Sequence, residues 1–281
     1  MKLLTYRLPG GATRPGLLEG AAIRTIAAAT LREYIALPPR ERESRHTGEL
    51  LALGEVALDA PVRPARNVFC VGRNYLEHAK EGARAAGREL KLPTVPTFFT
   101  KASTAIAAPD ATLDLSAAIS REYDFEAELA VVIGAQCKDV TEAEAPGVIF
   151  GYTALNDVTA RDLQREHGQW FKGKSLDGTC PIGPCVVTPE EIGNPDALEL
   201  RFRRNGVEKQ HSNTANMIFS VARIIAALSK GMTLLPGDVI ATGTPEGVGF
   251  ARTPPEFLTD GDLMEVEIER IGTLRNSIRI A

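Results

Sequence analysis

The chain has 281 residues, with 32 Lys plus Arg against 36 Asp plus Glu and a formal net charge of −4. That length builds a substantial core without staples, and the mixed charge offers no basic arm to supply affinity for nucleic-acid phosphates. Cys70, Cys137, Cys180 and Cys185 form no C-x-x-C pair, no apolar run approaches the ~20 residues of a membrane span, and MKLLTYRLPGG reaches Pro and Gly before any signal-peptide core; a reduced, cytosolic setting is the expectation.

Residues 1 to about 60 alternate short apolar stretches (LLTY, IRTIAAATLREYIAL) with the turn LPGGATRPG and the charged PPRERESRH. They predict a few short strands with one or two helices, a small α/β leading module over residues 1–63 with no chemical motif. From Pro64 onward NVFCVG (67–72), TFFTKAS (97–103), YDFEAELAVVIG (123–134), VIFGYTALND (148–157) and CVVT (185–188) read as strands. They are rich in Val, Ile, Phe and Tyr and bounded by turn formers. LELRFRRNGVEKQHS predicts a hairpin turning at Asn205-Gly206, and MIFSVARIIAALSKG a helix ending at Gly231. DVIATGTPEGVG and DLMEVEIERIGTLRNSIRI complete the strands. Helices and strands do not alternate regularly, which disfavours a parallel βαβ sheet; the expectation is a β-rich α+β catalytic domain over residues 64–281.

Within these elements, VGRNYLEHAKEG sets His78 and Glu81 three apart, side by side on a helical turn. A carboxylate beside an imidazole orients it as a general base; a solvated helix face gives the same spacing. The small, charged EGARAAGRELKLPTVP that follows has the composition of a lid. In REYDFEAELAVVIG, strand alternation puts Glu122, Asp124, Glu126 and Glu128 on one face. The bland reading is an exposed acidic face. Against it, the run continues directly into apolar LAVVIG, and buried carboxylates require a counter-charge such as a hard cation. Glu126 and Glu128, about 7 Å apart along the backbone, can converge on one ion. Asp157, at the end of VIFGYTALND, either joins them or caps the helix-like segment after it.

Lys172 and Lys174 lie in the Gly-rich GQWFKGKSLDGTCPIGP, where they bind an anion or are simply solvated, and no Walker pattern is present. The hydroxyl-rich ATGTPEGVG turn can receive a carboxylate on its N–H and Thr groups. Covalent catalysis is disfavoured: there is no G-x-S-x-G, and neither Cys180 nor Cys185 has a neighbouring His.

Taken in order, GRNYLEHAKE, FFTKAST, YDFEAELAVVIG, GYTALNDVTARDLQ, KGKS, NGVEKQ, NTANMIF, LLPGDVIATGTPEGVG and the terminal GD and IG resemble the fumarylacetoacetate hydrolase family over roughly residues 64 to 281. The resemblance implies a mixed-sheet catalytic fold of sandwich or roll type, usually dimeric, acting on a small 2-oxo acid. It implies Mg²⁺ or Mn²⁺ held by Glu126, Glu128 and Asp157, and water activated by His78 and Glu81. By the same matching, Lys174, Arg161 and Gln164 contact substrate or its oxyanion, Thr244 binds the 2-oxo acid carboxylate, and Arg73 and Lys101 sit at the site edge.

The reaction expected first is hydrolytic C–C cleavage of an acylpyruvate-type 1,3-diketo acid through a metal-chelated enolate, giving pyruvate and a carboxylic acid. Oxaloacetate decarboxylation and dienol tautomerisation of hydroxyheptadienedioate-type intermediates arise from the same enolate and are the alternatives. A non-catalytic metabolite-binding protein is disfavoured, because no ligand or lid-pair residue is missing.

Overall fold

The computed structural model describes residues 1–8, 10–85, 87 and 89–281; Ala86 and Arg88, within the segment expected to form a lid, lie outside the described residues. Strand Ala127–Ile133, near the middle of a 12-stranded sheet, is antiparallel to Ile149–Asn156 on one side and Val239–Ala241 on the other. Beyond Ile149–Asn156 come Cys180–Val187 and Lys2–Arg7; beyond Val239–Ala241 come Val68–Gly72, parallel to it, and Thr97–Lys101. A second sheet of five strands runs Val207–Asn213, Glu199–Arg204, Leu263–Ile268, Gly272–Ile280 and Thr112–Leu115. The fold is therefore β-rich and mixed, with short helices.

All seven residues of Ala127–Ile133 are buried, as expected of a strand covered on both faces. Ala127, Leu129, Val131 and Ile133 enter the larger core, which the second sheet closes; Phe125 stacks on Phe202 there at 4.2 Å between ring centroids. Ala130 and Val132 enter a second core with Val68, Cys70 and Cys180. Side-chain alternation puts Glu128 on the face of Ala130 and Val132. The acids thus extend the second face beyond its last apolar residue.

Residues 1–63 do not form a sheet of their own. Lys2–Arg7 pairs with Cys180–Val187 (Lys2 opposite Val187), and Thr13–Glu19, Ala22–Ile26 and His46–Ala52 continue outward from it. Leu3, Ile26, Leu31, Tyr34 and Ile35 share the second core with Val68 and Val186.

Three elements differ from their expected spans, and the simplest case is the strand expected over 185–188, which starts earlier and runs Cys180–Val187. The strand expected over 123–134 is broken: Tyr123–Asp124 pairs with Thr159–Ala160 in a separate ribbon. The break follows from backbone commitments, since Phe125 N–H donates to Asp124 Oδ1 and Glu126 N–H to Asn156 Oδ1. The helix expected to begin near Met217 spans Val221–Ser229, capped by Ser220 Oγ, which accepts from the Arg223 N–H. Ile218 and Phe219 N–H groups instead donate to the backbone and side-chain oxygens of Asn74. The Asn205-Gly206 hairpin forms where expected, with φ of 52° and 76°, the two positive values that its turn demands. No helix among the described residues is long and apolar enough to cross a membrane.

Candidate active site

The four alternating acids have different fates. Glu122 is half-buried at the cavity rim, 2.7 Å from Arg165. Asp124 is buried and accepts from the N–H groups of Gly249 (2.7 Å) and Phe250 (3.1 Å) and from Arg161 Nε (2.8 Å). Glu126 and Glu128 converge with Asp157, one carboxylate oxygen from each lying within 4.8 Å of the others. Asp157 is not a helix cap. Helix Arg161–Glu166 begins after Ala160, whose side chain makes no cap, while the Asp157 N–H donates to the Glu126 carbonyl and fixes these residues together.

Three buried cations face the acids. Lys174 Nζ donates to Glu126 Oε2 and Asp157 Oδ2, both at 2.7 Å, and Lys101 Nζ donates to Asp157 Oδ1 at 2.7 Å. Arg161 Nη2 lies 2.6 Å from Glu126 Oε1 and 2.8 Å from Asp124 Oδ2, close enough to pair but not aligned for a hydrogen bond. Burial alone would raise the Glu126 carboxyl, but Lys174, Arg161 and His78 outweigh it and hold it at about 2. Glu128 goes the other way: burial, then the charges of Asp157 and Glu126, push it well above the carboxylate range. Among the described residues it has no ion pair, and its Oε2 accepts the Gly243 N–H at 2.7 Å.

This chemistry fits a divalent cation. The donors are all carboxylate oxygens, the set that a hard divalent cation takes, and such an ion would give Glu128 the directly paired counter-charge that it lacks among the described residues.

His78 Nδ1 lies 2.9 Å from Glu81 Oε1 on helix Leu76–Ala85, and both side chains are only 13% exposed, which excludes a merely solvated pair. The Gly247 N–H donates to both Glu81 oxygens, at 3.1 and 2.9 Å, tying the helix to the turn after TGTP. A cavity of about 890 Å³ is lined by His78, Glu126, Glu128, Arg161, Gln164 and Lys174, and reaches Arg73 and Thr244. Thr244 Oγ1 accepts from Gln210 Nε2 at 2.9 Å. Gln164 Oε1 accepts from Arg161 Nη1 at 3.2 Å.

Lys101 departs from the expected site edge. It has no exposure, does not line the cavity, and sits behind Asp157. Lys172 is exposed, so of the two loop lysines only Lys174 reaches the acids. Asp124, Gln210 and Trp170 carry no sequence-predicted role. Gln210 joins the acid strand to the TGTP turn through Ala127 N–H, Thr244 Oγ1 and the Pro245 carbonyl. Its signal is an uncharged polar residue opposite Phe202 in the hairpin, on a core-facing position.

The model of the family described as fumarylacetoacetate (FAA) hydrolase C-terminal matches residues 67–279. Oxaloacetate tautomerase YisK of Bacillus subtilis is 44% identical over 230 residues, 82% of this chain and 75% of that protein. The 2,4-didehydro-3-deoxy-L-rhamnonate hydrolase of Sphingomonas is 38% identical over 265 residues, 94% of this chain and 86% of that one. The solved fumarylacetoacetate hydrolase of psychrophilic Exiguobacterium antarcticum superposes with a TM-score of 0.87 at 39% identity, covering all of both chains.

Proposed function

Because the chain belongs to the fumarylacetoacetate hydrolase family, we propose that it acts on a 2-oxo acid at C3 and that His78 moves the proton. One observation carries this reading: His78, braced by Glu81, faces the same cavity as Glu126 and Glu128. A Mg²⁺ or Mn²⁺ ion held by Glu126, Glu128 and Asp157 would supply Lewis-acid polarisation of the 2-keto oxygen.

The finer reaction proposed is hydrolysis of an acylpyruvate-type 1,3-diketo acid. With Nδ1–H directed at Glu81, the Nε2 lone pair of His78 serves as the base. It takes a proton from water as the water oxygen adds to the C4 carbonyl. Cleavage of C3–C4 releases the carboxylic acid, and the pyruvate fragment takes the proton back at C3. Lys174 uses two of its three N–H donors on Glu126 and Asp157, leaving one for the oxyanion. Arg161 and Gln164 line the substrate space, and Thr244 offers its hydroxyl to the substrate carboxylate.

A second reading, keto–enol tautomerisation of oxaloacetate, is favoured by the likeness to YisK. It uses the same base without water.

Purified protein given acylpyruvates and oxaloacetate with Mg²⁺ or Mn²⁺ separates the two. Pyruvate released from an acylpyruvate supports hydrolysis; loss of enol absorbance from oxaloacetate without pyruvate release supports tautomerisation. His78→Ala is expected to slow the productive reaction by about 10²–10⁴-fold. Turnover of neither compound overturns the proposal.

A further inference from the structure

We propose that Arg73 is a specificity-determining residue that binds a second anionic group at the far end of the substrate, so that the cavity selects dicarboxylic 2-oxo acids over monocarboxylic ones of equal length. This rests on the reading of the cavity as a 2-oxo acid site and adds what the remainder of the substrate carries.

The cations lining the cavity are not equivalent. Arg161 and Lys174 are committed to the buried acids, and Arg165 pairs with Glu122 at 2.7 Å. Arg73 and Lys91 also line the cavity, yet neither has an ion pair or side-chain hydrogen bond among the described residues. Of these two, Arg73 is the one that the fold positions. Its φ is 58°, a left-handed conformation that a residue with a Cβ adopts rarely and that persists where the surroundings enforce it. The enforcement is visible next door, where Asn74 Nδ2 donates to the Phe219 and Thr242 carbonyls and its Oδ1 accepts the Phe219 N–H.

The side chain is held as well. The Arg73 guanidinium lies 5.4 Å from the Trp170 ring centroid, and Gly72 makes room for that ring, since a Cβ there would overlap it. Trp170 meets Phe99 edge to face at 5.3 Å, and Lys174 Nζ lies 5.2 Å from the Phe99 centroid. A continuous aromatic wall therefore runs from the acids to Arg73. A guanidinium resting on an aromatic face keeps its in-plane N–H groups free for the paired bonds that a carboxylate accepts. A substrate anchored by its 2-oxo acid end at Lys174 and the acids would extend along this wall to Arg73, a positioned cation that has no ion pair among the described residues.

Trp170 is the only tryptophan in the chain, so its fluorescence reports binding directly, with calorimetry as an independent measure. The full-length protein with Mg²⁺ is titrated with 2-oxoadipate and with 2-oxohexanoate, which differ at the far end by a carboxylate against a methyl group. The wild type is expected to prefer 2-oxoadipate by about tenfold or more, as a charge-assisted hydrogen bond provides. Arg73→Met should bring that ratio close to one, and so should Arg73→Gly, which suits the left-handed backbone and removes the guanidinium without strain. Lys91→Met should preserve the ratio. Equal binding of both acids by the wild type, or a preference that survives in both Arg73 variants or vanishes with Lys91, overturns the role of Arg73 while leaving the 2-oxo acid reading intact. Binding of neither acid overturns that reading, and this inference with it.

Discussion

A lysine with no solvent exposure is costly unless its charge is matched, and Lys101 is matched by Asp157 Oδ1 at 2.7 Å and the Val158 carbonyl at 3.0 Å. Removing the ammonium while Asp157 stays leaves an under-compensated buried carboxylate beside Glu126 and Glu128. Lys101→Met is therefore expected to cost about 3–5 kcal/mol in urea unfolding of the metal-free protein. Excess Mn²⁺ should recover part of that loss, because without the Lys101 ammonium on Asp157 the acids bind a cation more tightly, and native-state binding stabilises the variant more than the wild type; equal destabilisation with and without Mn²⁺ would separate Lys101 from the acid cluster. Such a role is invisible locally. TFFTKAS shows a lysine among Phe and Thr, and its partner lies 56 residues away. His78 and Glu81 were readable because a three-residue spacing is itself the contact. Gln210 was not, since it meets Ala127 and Thr244 across 83 and 34 residues.

At the scale of elements, the same distinction separates the hairpin from the broken strand. Asn205-Gly206 makes its turn from its own two residues, so the sequence displays it. The break after Asp124 follows from the Asn156 side chain, 30 residues on, taking the Glu126 N–H, and from the Asp124 carboxylate taking the Phe125 N–H, and an alternating acid run carries no sign of either. The hairpin is also locked from outside: Asp262 accepts from Asn205 Nδ2 (2.8 Å) and the Thr259 N–H (2.6 Å) and lies 2.7 Å from Arg204. Burial would raise this carboxyl, but Arg204, the Thr259 N–H and Asn205 together lower it below 3.8. A carboxyl depressed in the folded state adds stability that is fully present well above 3.8 and is lost as pH falls through that value and on through the lower folded one. Asp262→Asn is thus expected to lower stability at pH 7 by about 1.5–3 kcal/mol, the worth of hydrogen bonds to a charged group. The gap to wild type should narrow below about pH 4. A gap independent of pH in thermal melts would assign the effect to packing.

For the whole molecule, the central question is whether the segment that matches the family, residues 67–279, stands alone. Texture divides the chain near Pro64, because the leading residues alternate in short stretches and carry no chemistry. Hydrogen bonding and packing do not respect that division. Lys2–Arg7 covers the edge of Cys180–Val187, and Leu3, Ile26, Leu31, Tyr34 and Ile35 fill the core that also holds Val68, Cys70 and Val186. Cutting the chain before residue 64 would uncover a sheet edge and one side of that core, the surface that promotes edge-to-edge association. It would also loosen the face from which Glu128 projects. The full chain should therefore unfold in one calorimetric transition, with the van't Hoff and calorimetric enthalpies in agreement. A chain of residues 64–281 should be aggregation-prone and bind Mn²⁺ more weakly. Two resolved transitions, or a soluble truncated chain with undiminished Mn²⁺ affinity, would show that the acid cluster is built by the family segment alone and that the leading strands are an attachment rather than part of its foundation.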